Sequence, residues 1–177
     1  MKYVAFLRAI NVSGRVVKME ALRGHVEALG FTDVATHIAS GNLIFKSISG
    51  QSSVKAAIEK HLQASLGFEV ATFVRTIGEV GAVARYQPFA KAAIASAGAF
   101  CVGFLNQPLD QTALEAVMGL RTPIDDFHVH KREVYWLCAK KQSESAFSNA
   151  KLERLLSVPA TIRSMNTVAN LAAKYAI

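Results

Sequence analysis

The chain has 177 residues, 51% of them apolar and 19% charged, with four prolines and a formal net charge of +7. That composition excludes a disordered or low-complexity protein, and the length suits one domain or two small ones around a real core. No apolar run approaches the roughly 20 residues that span a bilayer, and Met1-Lys2-Tyr3 leads straight into a strand without a leader pattern, so a soluble cytoplasmic protein with no membrane partner is expected.

Between Lys2 and Arg8 the chain is apolar without alternation, the pattern of a strand covered on both faces. Met19, Leu22, Val26 and Leu29 recur at helical spacing, and Gly30 is a stop signal. Val34–Ile38 and Leu43–Lys46 flank Ser40-Gly41-Asn42, which reads as a hairpin. Val54, Ala57, Ile58, Leu62 and Leu66 mark a second helix closed by Gly67, and Val70–Arg75 a fourth segment of strand character. This is a β-α-β-β-α-β order.

The second half repeats it. Ala99–Leu105 is a predicted strand, Gln111–Leu120 a helix, and Phe127–His130 with Glu133–Cys138 a hairpin around Lys131-Arg132. Ala146–Leu156 follows as a helix and Ala160–Arg163 as a short strand. Ile77–Arg85 is helical, Gln87-Pro88-Phe89 breaks it, and Ala90–Ala97 is an alanine-rich connector. Val168, Leu171, Ala172 and Tyr175 form a closing amphipathic helix. The expected class is α+β: two tandem ferredoxin-like βαββαβ subdomains at residues 1–76 and 98–164, a helical linker at 77–97 and a C-terminal helix at 165–177.

The two halves also echo each other as sequence, which points to an internal duplication. Val4-Ala5-Phe6-Leu7 returns as Val102-Gly103-Phe104-Leu105, an offset of 98, and Ala21-Leu22 as Ala113-Leu114, an offset of 92. The first copy therefore carries six extra residues within Arg8–Val17. A ten-residue connection exceeds the usual ~2–6 residues for a strand–helix loop, and long loops in compact domains are often functional. Residues 1–97, which contain it, carry +5, and residues 98–177 only +2.

In this topology the exit of the first strand and the following hairpin share one edge of the sheet. That edge brings together Arg8, Asn11, Ser13, Gly14 and Arg15 with Ser40, Gly41 and Asn42, beside the start of a helix near Lys18. Guanidinium groups, amides, hydroxyls and helix N–H groups suit a phosphate or carboxylate. Competing readings stand beside this one. Ser-Gly-Asn is ordinary turn chemistry, and Arg8 at a strand end can be a solvated charge or a carboxylate's partner.

Leu7-Arg8-Ala9-Ile10-Asn11-Val12-Ser13-Gly14, Met19-Glu20-Ala21-Leu22-Arg23, Leu29-Gly30-Phe31 and Ser40-Gly41-Asn42-Leu43-Ile44-Phe45 resemble the bacterial family named domain of unknown function 1697 (DUF1697). So do Val74-Arg75-Thr76, Gln87-Pro88-Phe89 and Thr161–Val168. The resemblance implies a bacterial protein of two ferredoxin-like halves and no particular activity. Ala9 and Ser13 stand where the family shows glycine, which would strain a positive φ or obstruct close backbone approach. Gln87 replaces an asparagine and Met165 a tryptophan, and the second change weakens the case for aromatic stacking there. Arg75, Arg163, Asn166 and Thr167 remain as secondary candidates, with Asn166 also a plausible N-cap of the last helix.

Other chemistries find less support. Cys101 and Cys138 lie in predicted strands without metal-type spacing, which suggests buried reduced thiols. His128 and His130 share one face of a strand, after Asp125 and Asp126, but no third ligand is placed, so a solvent-facing surface is the default and no metal or cofactor is expected. No nucleophile elbow, phosphate loop, zinc-protease motif or dinucleotide fingerprint occurs. Tyr135 and Trp136 between Lys131-Arg132 and Lys140-Lys141 raise a nucleic-acid-binding alternative, though alternation puts the two rings on opposite faces. The favoured expectation is a small anionic or phosphorylated ligand at the first half's loop edge. A nucleic-acid module and a ligand-free protein–protein or dimer surface are the alternatives. No acid, base or nucleophile can be assigned, and the oligomeric state stays open.

Overall fold

The computed structural model describes residues 1–11, 14–38 and 41–176. Two units divide the chain: residues 1–82 together with 171–177, and residues 83–170.

The first unit is built on β1 (Lys2–Leu7), β2 (Thr32–His37), β3 (Asn42–Lys46) and β4 (Thr72–Thr76), in the order β2-β3-β1-β4 with every neighbour antiparallel. Alternation sends Tyr3, Ala5, Leu7, Leu43, Phe45 and Val74 to one face. There they meet Leu22 and Val26 of α1 (Met19–Glu27) and Val54, Ile58 and Leu62 of α2 (Gln51–Leu66). Each such side chain contributes about 1.5–3 kcal/mol when fully buried. Val4, Phe6, Ile44 and Phe73 point the other way and are buried too, as the unalternating β1 requires. Gly67 ends α2 in the left-handed region, the conformation its place in the sequence suggested.

The second unit repeats the architecture. Its strands are β5 (Ala99–Phe104), β6 (Asp125–His130), β7 (Glu133–Cys138) and β8 (Thr161–Ser164), in the order β6-β7-β5-β8. With α5 (Gln111–Met118) and α6 (Asn149–Leu156), these enclose Cys101, Val117, Phe127, Trp136, Cys138, Phe147 and Leu152. Equivalent pairs occupy equivalent registers: Val4 faces Arg75 across β1–β4, and Val102 faces Arg163 across β5–β8. Two tandem ferredoxin-like subdomains account for the whole pattern.

The remaining helices are α3 (Ile77–Arg85), α4 (Lys91–Ser96) and α7 (Met165–Tyr175). The unit division falls inside α3 and α7, not at the ends of the expected 77–97 linker and 165–177 helix. Thr76 and Glu79 explain the first case by capping each other. The Glu79 N–H donates to Thr76 Oγ1, the Thr76 N–H to Glu79 Oε2, and Gln51 of α2 also donates to Glu79. In the second case Lys2 Nζ donates to the Tyr175 carbonyl, which ties the last turn of α7 to β1. Among the described residues, no helix is long and apolar enough to cross a membrane.

Candidate functional site

Because β1 lies antiparallel between β3 and β4, its exit meets the starts of both. Phe6 is opposite Asn42 and Leu7 opposite Thr72. One residue further, the Leu7 N–H donates to the Gly41 carbonyl (2.8 Å) and the Arg8 N–H to the Ala71 carbonyl (2.9 Å). Arg8 therefore leaves the sheet between the β2–β3 hairpin and the segment before β4, on a single rim. Eleven residues (8–18) then lead to α1, against six (105–110) between β5 and α5.

The loop is anchored by apolar side chains that sequence reading overlooked. Ile10 and Val17 are buried in the first unit's core, and Asn11 Oδ1 accepts from the Val17 N–H (2.6 Å), which ties the two ends of the loop together. Asn42 is fully buried, and its Nδ2 donates to the His37 carbonyl across the hairpin (2.8 Å). Both amides thus shape backbone. Arg15 is exposed, with its guanidinium 4.2 Å over the Phe68 ring, a contact worth about 0.5–1 kcal/mol. Phe68 was not a candidate. The signal that could have found it is its place before β4, which the topology delivers to this rim.

Among the described residues of the rim, four occupy the left-handed region: Ala9 (φ 52°), Gly14 (80°), Ile38 (52°) and Gly41 (81°). For Ala9 and the β-branched Ile38 that conformation costs of order 1–3 kcal/mol each. Ala9 thus has the positive φ that a glycine at its position would accommodate. Arg8 is half-buried, Gly14 and Arg15 are exposed, and Gly41 and Asn42 are buried; Ser13 and Ser40 lie outside the described residues. Lys18 precedes α1 without a side-chain cap. The local charges are Arg8, Arg15 and Lys18 against Glu20 and Glu69.

The secondary candidates lie elsewhere. Arg75 is buried in the middle of β4, and its Nη1 donates to the Val74 carbonyl (3.0 Å). Arg163 is buried in β8 and donates to Thr161 Oγ1 (2.7 Å) and the Ile162 carbonyl (3.1 Å); burial lowers its pKa to about 10. Asn166 does not cap α7. Ser164 does, accepting from the Thr167 N–H (3.2 Å), because α7 begins at Met165 and Asn166 already lies inside its first turn.

His128 and His130 do not line an open strand surface. Both are half-buried against Tyr86, whose hydroxyl lies 2.8 Å from His128 Nε2 and whose ring stacks on His130 at 4.3 Å. Burial, then the neighbouring His130, lowers the pKa of His128. Tyr135 and Trp136 are each only 1% exposed. Cys101 and Cys138 are buried free thiols, and burial raises Cys101 to about 11. Among the described residues, no group of three or more His, Cys, Asp or Glu is arranged to hold a metal.

A family model described as "Protein of unknown function (DUF1697)" matches residues 1–135. Among solved structures, the conserved bacterial protein SP0830 from Streptococcus pneumoniae aligns with a TM-score of 0.78 at 23% identity, over 99% of this chain and 98% of its own. At that identity the likeness shows the fold alone. Comparison with curated proteins finds no match.

Proposed function

This chain belongs to the DUF1697 family of proteins of unknown function, and we propose that its first unit binds a small anionic or phosphorylated ligand at the rim of the β1–α1 loop and β2–β3 hairpin. The observation that carries the reading is that, among the described residues of the β1–α1 loop and the β2–β3 hairpin, Ala9, Gly14, Ile38 and Gly41 occupy the left-handed region around the exit of β1. Strained backbone persists where surrounding structure holds it, and it clusters at ligand clamps and active sites. Arg8 supplies the charge, with Arg15 held on Phe68 as a second cation. Gly14, exposed and left-handed, contributes a backbone donor. Asn11 and Asn42 act indirectly, by fixing the two loops. The reading takes the two units as an internal duplication in which the first copy carries the longer connection from its first strand to its first helix. It places the protein in the bacterial cytoplasm, where two buried thiols stay reduced.

The alternatives lose ground on burial. Tyr135 and Trp136, the rings considered for base stacking, are inside the protein. Asn42 is fully buried in the chain, and its amide already braces the hairpin through the His37 carbonyl. Thermal shift with orthophosphate, nucleotides, sugar phosphates and small carboxylates tests the proposal. One class is expected to stabilise the wild type, with affinity for Arg8→Ala reduced at least tenfold, about 1.4 kcal/mol. Equal shifts in both proteins, or none in either, overturn it.

A further inference from the structure

Away from the rim, α1 and α2 lie on the same face of the first sheet and bring two histidines together that the sequence separates by 36 positions. His25 Nδ1 lies 3.3 Å from His61 Nε2, with the rings edge to face at 5.3 Å. Each histidine immediately precedes a buried anchor, Val26 in one helix and Leu62 in the other, so core packing fixes both backbones. The rings themselves are half-buried and reach the surface.

We propose that His25 and His61 form a binding site for a borderline divalent transition-metal ion of the Zn2+ or Ni2+ class, with water in the remaining positions. Zinc–imidazole bonds of ~2.0–2.1 Å at a tetrahedral angle place two ligand nitrogens ~3.3–3.4 Å apart. The observed spacing already matches that edge. Small ring rotations turn both lone pairs toward one ion, which replaces the hydrogen now shared between the nitrogens. That hydrogen moves to the outer nitrogen of the same ring, so both imidazoles remain neutral, as metal binding requires. Imidazole suits zinc, copper and nickel, whereas magnesium and calcium prefer oxygen.

The surroundings favour a cation in a chain that is otherwise basic. Residues three and four positions away on a helix are the surface neighbours of a side chain. For His25 within α1 and its cap these are Ala21, Leu22 and Ala28; for His61 they are Ala57, Ile58, Ala64 and Ser65. None carries a charge. His25 also sits in the last turn of α1, where the helix dipole presents its negative end. Ser65 Oγ, 3.5 Å from His61 Nε2, can accept a hydrogen bond from a metal-bound water.

Calorimetric titration of the wild type, His25→Ala and His61→Ala with ZnCl2, NiCl2 and MgCl2 tests the site. One equivalent of zinc or nickel is expected to bind the wild type, at least tenfold more weakly to each variant, with magnesium silent. Absence of binding to the wild type, or equal affinity in the variants, overturns the proposal, because the ion would then sit on other histidines. A second measurement needs no variant: substoichiometric Ni2+ should broaden the imidazole NMR signals of His25 and His61 before those of His37, His128 and His130. Uniform broadening, or broadening that begins at the other three, also overturns it.

Discussion

Gly41 meets two constraints at the same atom. Its φ of +81° lies where a side chain costs about 1–2 kcal/mol, and an added Cβ would stand 2.7 Å from Ile10 Cγ2 and 3.2 Å from Leu7 Cβ. Gly14 meets only the first, since nothing lies within 4 Å of the equivalent point. Gly41→Ala is therefore expected to cost about 2–4 kcal/mol, adding the strain of overpacking, and Gly14→Ala about 1–2. Urea unfolding of the two variants checks this; equal losses would mean that contact with the β1–α1 loop contributes nothing. The turn chemistry of Ser40-Gly41-Asn42 was legible in the sequence, because hairpins demand positive φ. Its contact with Ile10 was not, because packing between residues 31 positions apart has no local signature. The same gap hid Phe68 beneath Arg15, and it left Asn42 looking like a surface amide when it is a buried brace.

Among the elements, strand and helix order followed the hydrophobic periods closely, and the deviations fall where side chains bond to backbone. Helix α6 starts at Asn149, not Ala146, because Ser148 Oγ accepts from the Lys151 N–H, and Ser145 Oγ holds the Phe147 N–H outside the helix. Ser145 belongs to a network around Asp125 at the start of β6. The Asp125 carboxylate accepts from Thr122 (2.7 Å), Ser145 (2.7 Å) and Trp136 Nε1 (2.9 Å), linking the turn before β6, the centre of β7 and the approach to α6. Burial by itself would raise the pKa of this carboxyl, but the hydrogen bonds from Thr122, Ser145, Trp136 and Cys138 outweigh it and the net shift is downward. The folded value lies below the unfolded one of ~3.9. The stabilisation is therefore complete above about pH 4 and is lost as pH falls through the lowered folded value. Asp125→Asn is expected to cost about 1.5–3 kcal/mol at pH 7, with the gap to wild type narrowing below about pH 4. Urea midpoints across pH measure this, and a gap that stays constant into strong acid would show that ionised Asp125 holds nothing together.

At the scale of the whole molecule, the first unit takes its parts from both ends of the chain. Residues 1–82 supply its sheet and three of its helical segments, and the last turns of α7 return to it from Leu171 onward. The returning segment meets this sheet through Tyr175, which sets its ring edge-on to His37 at 6.4 Å and whose carbonyl accepts from Lys2 Nζ at 3.1 Å; Leu171, at the start of the segment, is fully buried. Lys2 opens β1 and His37 closes β2, so the segment touches an interior strand and an edge strand of the same sheet. A βαββαβ order read from sequence closes each half upon itself, and no periodicity announces that a helix starting after β8 finishes in the other unit. The consequence is energetic: Leu171, 67 positions beyond the end of β5, is grouped with the unit that contains β1. Leu171→Ala is expected to cost about 2–5 kcal/mol, the range for deleting a fully buried leucine. The exposed Asn170→Ala, one position earlier, should stay within about 0.5 kcal/mol. Hydrogen exchange locates the loss: amides of β1 and β3 should lose protection in Leu171→Ala while those of β5 and β7 keep theirs. Unchanged protection in β1 would mean that the first unit is complete without the returning turns.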